Sequence, residues 1–465
     1  MFRFILCLCS LLISCSLEAQ VIAPIRDSLG RVLILHGLNT SGSAKHTPGH
    51  QPWISEKDVD RENREFGWNA VRYLIFWGAI EPERDSFDED YLRKVKERVE
   101  WYTKRGMYVM LDMHQDVYGY GVGGNGAPEW ASTQTRIQNL IPDKWPWWMQ
   151  NMEPKVIQSY VNFFKYKKRK ELQDHYILAW LKVISLFKGN SHVIGYDLMN
   201  EPHGGKIIKT LAGGFERQWL SAMYKRLIPA IRRVDTTRYI FFEPRSFGVN
   251  YGMKSHLPRV NDTIVQKLVY APHCYMTFVD IGGDYKPKDR RSVMKWFRHR
   301  DVEVKLHQTS MMLGEFGLSS GKKDFDRYLQ DILDGIDQRQ ASWTYWSGDP
   351  GGWSPLNPDL SPSPIMGSLL RVYPSAVAGE LLSFHFDSAV KSFKMEFISD
   401  SSINAPTVIS VPSLLMKENY QWEVSGTDHY TAKRDQLTNA LLVTITEHHQ
   451  KVIVKISQPI GSENK

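Results

Sequence analysis

The sequence predicts an α/β fold, a (β/α)8 barrel followed by a C-terminal antiparallel β-sandwich. Eight apolar, β-branched or aromatic runs recur with helical patterns between them, which is the sequence form of a closed parallel barrel. After Gly379 the pattern changes to short alternating segments such as SFHFD, SFKMEFIS and KVIVKI, as in a sandwich whose strands bury one face. The 465 residues, 42% apolar and 23% charged, provide chain enough for a barrel of about 250 residues plus an accessory domain. A doubly wound open sheet is the rival, but no G-x-G-x-x-G opens a helix after an early strand. The expected division is a signal segment at 1–19, a barrel at 20–379 and a sandwich at 380–465.

The first segment carries Arg3, an apolar run through Leu6, Leu8, Leu11, Leu12 and Ile13, then small Ser14 and Ser16. That is the pattern of a secretory signal, and it is too short to span a bilayer. Leu12-Ile13-Ser14-Cys15 also resembles a bacterial lipobox, so export is expected, with a lipid anchor or a lysosome-like compartment left open. Cys7, Cys9 and Cys15 fall in this segment and leave Cys274 alone in the body. An internal disulfide and a cysteine metal cluster are therefore excluded there, and Cys274 reads as a small core residue. Asn39 and Asn261 begin glycosylation sequons, meaningful only in a eukaryotic secretory pathway.

The barrel runs are 32–36, 70–77, 107–113, 193–199, 239–242, 266–271, 310–314 and 341–346. Two of them end in glutamates, in IGYDLMNEP (194–202) and MMLGEFG (311–317). Catalytic groups collect at the carboxyl ends of barrel strands, and a retaining glycosidase needs two carboxyl groups about 5 Å apart. Glu201 as acid/base and Glu315 as nucleophile would be that pair. Asn200 supports Glu201, because an amide beside the acid can bond the sugar 2-hydroxyl. Glu-Pro also occurs at Glu81, Glu153 and Glu243, and a strand-end Glu often serves only as a cap or ion pair. Glu243, ending YIFFEP, is the most serious decoy and lacks the preceding Asn.

Other strand-end groups complete a set: Asn39, Arg72 within the second run, His114 and Asp116 after the third, His273 and Tyr275 after the sixth, and Trp346 after the eighth. The interval between the third and fourth runs is long, so residues from 115 to about 170 form an excursion that shapes specificity. It holds GVGGNGAPEWA (121–131) and Trp145, Trp147 and Trp148, which either stack on sugars or anchor the loop. The KYKKRK run at 165–170 reads as a solvated face ahead of a nucleic-acid or lipid-headgroup contact. The net charge of +7 is modest and scattered, so no nucleic-acid partner is expected.

The strand-end set resembles glycoside hydrolase family 5. LNTSGSAKHTP (38–48), LDMHQDVYG (111–119), GNGAPEWA (124–131), DLMNEPHGG (197–205), LGEFGL (313–318), YWSGDPGGW (345–353) and YPSAVAG (373–379) narrow the resemblance to the endoglycoceramidases. It implies cleavage of the β-linkage between an oligosaccharide and ceramide, with Glu201 as acid/base and Glu315 as nucleophile. It also implies Lys45, Asn200, His114, Asp116, His273, Tyr275 and Trp346 as sugar or carboxylate partners. Arg72 would keep the nucleophile ionised and Tyr275 would position it. The implied substrate is a glycosphingolipid in micelles or membranes, with no cofactor, no metal and no obligate protein partner.

The chain departs from that pattern at His36-Gly37, where relatives often show Arg-Gly, so the first sugar-side loop is expected to differ. A ceramide needs an apolar groove, for which Tyr275, Met276, Phe278, Val279, Ile281 and Trp353 are candidates beside plain loop packing. Rival functions are a β-glucosidase acting on glucosylceramide or a steryl glucoside, and a non-catalytic glycolipid binder. A plain cellulase is disfavoured by HQDVYG and APEWA.

Overall fold

The computed structural model describes residues 23–133, 140–142, 147–167, 169–280 and 282–459. The expected signal segment, Trp145 and Ile281 lie outside them. Among the described residues no helix is long and apolar enough to cross a membrane.

Eight parallel strands close into a barrel: His36–Asn39, Ala70–Ile75, Tyr108–Met113, Val193–Asp197, Tyr239–Phe242, Leu268–Tyr270, Ser310–Leu313 and Ser342–Tyr345. The eighth pairs with both the seventh and the first. Every residue in them is buried, which is why they read as continuous apolar runs without alternation. At the first strand, a Cβ on Gly37 would lie 1.8 Å from the Ala70 carbonyl oxygen, so only glycine permits this approach.

Seven of the expected runs overlap their strands directly, and the first is corrected. Its residues Val32–Leu33 pair antiparallel with Tyr373–Val377 in the sandwich, and the barrel strand starts at His36. Val32, Leu33, Ile34 and Leu35 are all buried, so hydropathy could not separate two strands that serve different sheets. Ile25, Leu33 and Leu35 pack with Ala70, Ile194 and Phe241, closing the amino-terminal end of the barrel.

Amphipathic helices cover the outside. In Glu89–Thr103 the Asp88 side chain accepts the Tyr91 N–H as a cap, and Tyr91, Leu92, Val95, Val99 and Tyr102 form the buried stripe, the helical period of a one-sided surface helix. Between Phe242 and Leu268 no helix is assigned. Pro244, Pro258 and the left-handed glycines Gly248 and Gly252 turn that stretch into a loop, which reaches the open end of the barrel.

The sandwich comprises two antiparallel sheets. One runs Val32–Leu33, Tyr373–Val377, Thr407–Ser410, Leu441–Ile445, Tyr430–Arg434; the other runs Gly379–Asp387, Ser392–Ser399, Lys451–Ser457, Gln421–Ser425. The sandwich thus takes in strands ahead of the expected boundary at 380. At its junction with the barrel the His36 ring lies between Trp343 and Tyr373, with centroids 4.5 and 3.7 Å away. His36 therefore faces the sandwich, and the expectation that it alters a sugar-side loop is corrected. The Tyr373 hydroxyl and Ser410 Oγ both donate to the Gly67 carbonyl, at 3.0 and 2.5 Å. Cys274 is buried and free.

Candidate active site

The seventh barrel strand continues as Glu315–Phe316, which pairs in parallel with His273–Cys274, placing Glu315 opposite His273. Glu201 leaves the fourth strand with φ of 45°, a conformation unfavourable for a residue with a side chain. Its backbone is fixed on both sides: its N–H donates to Glu243 Oε2 at 2.9 Å, and its carbonyl accepts from Gln115 Nε2 at 3.0 Å. Carboxylate oxygens of Glu201 and Glu315 and a ring nitrogen of His273 converge within 4.8 Å of one another. That separation suits a retaining pair and is too short for the intervening water of an inverting pair, which needs about 6.5–9.5 Å.

Arg72, wholly buried, organises the floor. Its Nη1 donates to Glu315 Oε1 at 2.7 Å and to Asn39 Oδ1 at 2.9 Å. Its Nη2 reaches Asn200 Oδ1 and Glu243 Oε1, both at 3.0 Å, and Asp112 Oδ1 at 2.9 Å, while Nε donates to Asp197 Oδ2 at 2.9 Å. Burial opposes the charge, but the surrounding carboxylates outweigh it and hold Arg72 firmly protonated. Tyr275 donates from its hydroxyl to the other oxygen of Glu315 at 3.1 Å.

His273 Nδ1 lies 2.9 Å from Glu201 Oε1 and 3.6 Å from Glu315 Oε2, and its Nε2 lies 3.2 Å from Glu243 Oε1. Burial would lower its pKa, yet Glu243, Glu315 and Glu201 outweigh burial and hold it well above the ordinary histidine value. The ring is thus an imidazolium.

Lys45 and Trp346 form a second wall. Lys45 Nζ lies 2.7 Å from Asp116 Oδ2 and 4.1 Å from the Trp346 ring centroid. The same indole stacks on His114 at 5.5 Å with 12° between planes, and His114 Nδ1 donates to Asp112 Oδ2 at 2.7 Å. Burial pushes the Asp116 carboxyl up, but Lys45 and His114 outweigh it and hold it well below the usual range. Burial and Lys45 push His114 down, and Asp112 and Asp116 bring it above its ordinary value.

The cleft above these groups measures about 520 Å³. Lys45, Asp116, Glu201, Tyr275, Glu315 and Trp346 line it; Arg72, His114, Asn200 and His273 sit beneath, each at most 1% exposed. The ten residues named as catalytic groups or as sugar or carboxylate partners thus meet at one place, with Asn39 bonded to Arg72 below them. Trp148 of the excursion also lines the cleft. Met276 and Val279, two groove candidates, are instead buried in the barrel core, and the apolar lining comes from Ile207, Phe247, Tyr251 and Trp353. The Asn39 sequon is no glycosylation site: the side chain is buried and donates to the Gly314 carbonyl at 2.9 Å.

Sequence reasoning missed Asn250, whose Nδ2 donates to Glu201 Oε1 at 2.6 Å, and no signal in the SFGVNYG stretch marks it. It also missed Asp112 and Asp197, although a charge inside an otherwise apolar strand was available as a clue. Glu243, weighed as a rival acid, sits under the site as an acceptor for both Arg72 and the Glu201 backbone.

The family model described as Cellulase (glycosyl hydrolase family 5) matches residues 30–352, and one described as Glycoside hydrolase family 5 C-terminal domain matches 371–456. The chain belongs to glycoside hydrolase family 5. It is a glycoside hydrolase on a closed barrel with a C-terminal antiparallel domain. Among solved structures, endo-glycoceramidase II from Rhodococcus sp. is 33% identical with a TM-score of 0.86, covering 94% of this chain and 100% of that one. That protein has also been solved in complex with ganglioside GM3 and as a lactosyl-enzyme intermediate. Endoglycoceramidase I of Rhodococcus hoagii (strain 103S) is 28% identical over 93% of this chain and 86% of its own length. Endoglycoceramidase of Cyanea nozakii is 28% identical over 84% of this chain and 82% of its own.

Proposed function

We propose that this family 5 hydrolase cuts between the glycan and the ceramide of glycosphingolipids, with retention, using Glu315 as nucleophile and Glu201 as acid/base. The observation that carries the chemistry is the approach of the two carboxylates within 4.8 Å. The whole-length likeness to endo-glycoceramidase II, solved with GM3, supports the substrate class.

In the first step Glu315 attacks the anomeric carbon, with Arg72 and Tyr275 aiming its two oxygens. Glu201 delivers its proton to the departing ceramide oxygen. Asn250 Nδ2 and His273 Nδ1 both donate to Glu201 Oε1, so the transferable proton rides on Oε2. Bond cleavage leaves a glycosyl ester on Glu315 and an ionised Glu201. Glu201 then takes a proton from water, whose oxygen displaces Glu315 and frees the intact glycan. As this charge changes, the fixed His273 imidazolium stabilises the carboxylate form without any proton movement of its own. Asn200 keeps one looser contact, Nδ2 to His114 Nε2 at 3.4 Å, and that N–H is the one to meet the sugar 2-hydroxyl. Trp346 offers a face to the sugar, and the ionised Asp116 accepts from its hydroxyls. The apolar side chains Phe247, Tyr251 and Trp353 receive the start of the ceramide.

The test is to incubate the purified protein in detergent with a fluorescent-ceramide ganglioside and with glucosylceramide, beside a Glu201→Gln control. Free ceramide together with an intact oligosaccharide, absent in the control, is the expected result. Release of glucose alone would replace this reading with a β-glucosidase. A Glu315→Ala variant should lose several orders of magnitude in rate, and its retaining full activity would overturn the site.

The expected signal segment stays part of this reading: export, with a lipid anchor or a lysosome-like compartment left open, and peripheral contact with membrane lipid.

A further inference from the structure

Beside the cleft mouth one surface is both apolar and basic. The short helix Ile207–Leu211 follows the Glu201 loop, and its first residue, Ile207, lines the cleft. On its outer side Ile208 is 86% exposed and Leu211 37%. Around them stand Lys165, Lys206 and Lys209. The Lys209 and Lys165 ammonium groups lie over one ring, that of Trp219, at 4.0 and 5.5 Å from its centroid. Burial first, and then the neighbouring charges of Lys165 and Lys206, lower the Lys209 pKa, which places both of those lysines within electrostatic reach of Lys209. Lys209 Nζ donates to Gln218 Oε1 at 2.7 Å. Among the described residues no carboxylate forms an ion pair with any of the three. Lys165 also begins the basic KYKKRK run, which the catalytic chemistry leaves unused.

A nucleic acid would meet these charges but leave Ile208 and Leu211 in water. An anionic lipid surface meets both, since lysines pair with headgroups while aliphatic side chains enter the boundary beneath. We propose that the Ile207–Leu211 helix, ringed by Lys165, Lys206 and Lys209, docks the protein on anionic lipid surfaces with Ile208 and Leu211 inserted, so that the cleft opens onto the interface. The inference rests on the glycolipid reading only for its purpose, which is to present the cleft to a substrate whose ceramide lies in the bilayer.

The experiment is sedimentation of the full chain with vesicles of phosphatidylcholine alone and of equal parts phosphatidylcholine and phosphatidylserine. Neither contains glycolipid, so the outcome is independent of the proposed activity. The wild type should bind the phosphatidylserine vesicles far better, with binding that weakens as salt rises. Ile208→Ser should weaken it about tenfold. Changing Lys165, Lys206 and Lys209 together to Gln should weaken it about fivefold per lysine, on the order of a hundredfold in all. These side chains lie outside the catalytic groups, so both variants should melt like the wild type and hydrolyse a soluble aryl β-lactoside at the wild-type rate. Equal wild-type binding to both vesicles, or none to either, would overturn the proposal. So would loss with the lysine changes but full binding by Ile208→Ser, which would mark a polyanion patch without insertion. Failure of the lactoside arm in the wild type, with vesicle binding intact, would count against the proposed activity alone.

Discussion

Two donors converge on one oxygen of Glu201, and that asymmetry gives Asn250 a definite task. On the proposed assignment, with Oε1 taken by Asn250 and His273, the transferable proton is carried by Oε2. Asn250 is itself held from behind, because its backbone carbonyl accepts the Tyr275 N–H at 3.1 Å. Glu201, the proposed acid/base, and Tyr275, which donates to the proposed nucleophile, are therefore braced by one side chain and its own backbone. Asn250→Ala removes a donor to a carboxylate, worth roughly 1.5–3 kcal/mol, or about ten- to a hundredfold in the step that needs protonation. Hydrolysis of a lactosyl ceramide should fall by that factor, whereas a dinitrophenyl β-lactoside, whose leaving group needs no proton, should react at nearly the wild-type rate in its first step. Equal losses on both substrates would reduce Asn250 to a structural part.

At the scale of elements, the loop after the fifth strand replaces a barrel helix and delivers Asn250, Phe247 and Tyr251 together. A buried arginine of the helix Arg290–His307 secures it: Arg300 donates to the carbonyls of Val249 and Met253 at 3.1 and 2.8 Å and pairs with Glu303. Arg300→Lys keeps the charge beside Glu303 but loses the planar fork that spans both carbonyls. The expected cost is about 2 kcal/mol of stability, seen as a lower melting temperature, together with the substrate-dependent loss described for Asn250→Ala. A lowered melting temperature with undiminished turnover of lactosyl ceramide would show that the loop holds Asn250 without Arg300. This loop also marks the limit of what the chain discloses by itself. Strand-end residues such as Glu201, Glu315, His273 and Arg72 were legible because a barrel strand is an apolar run and its polar exceptions stand out. Asn250 was not legible, because its position depends on turns at Gly248 and Gly252 and on a contact with a helix 50 residues further on. The groove residues were misplaced for a related reason: apolar side chains near a strand end look alike whether they face the cleft, as Trp353 does, or the core, as Met276 does.

At the scale of the whole molecule, barrel and sandwich share elements at both ends of the barrel sequence. Val32–Leu33 belongs to a sandwich sheet although it precedes the first barrel strand, so the chain must complete residues 373–377 before that strand finds its partner. His36 stands at this junction, and its titration should report on it. Burial, reinforced by the nearby Arg371 charge, holds its pKa well below the ordinary value. Its Nε2 has no hydrogen-bond partner among the described residues. The native ring is thus neutral while the unfolded ring titrates near pH 6.5. Above that pH neither state takes up the proton and stability is unaffected. As pH falls below it, only the unfolded state binds the proton, and stability drops by about 1.4 kcal/mol per pH unit until the native pKa is reached. His203 and His307, each pushed down to about 4 by burial, add slopes of the same sign. His36→Phe keeps a ring between Trp343 and Tyr373 and removes the proton site, so its melting temperature should fall less steeply than that of the wild type between neutral pH and about pH 5. If barrel and sandwich unfold as one body, the flatter slope will appear in a single transition. Two transitions, with only one altered, would show that the shared strands do not couple the domains, and parallel curves would show that His36 is not kept neutral at the junction.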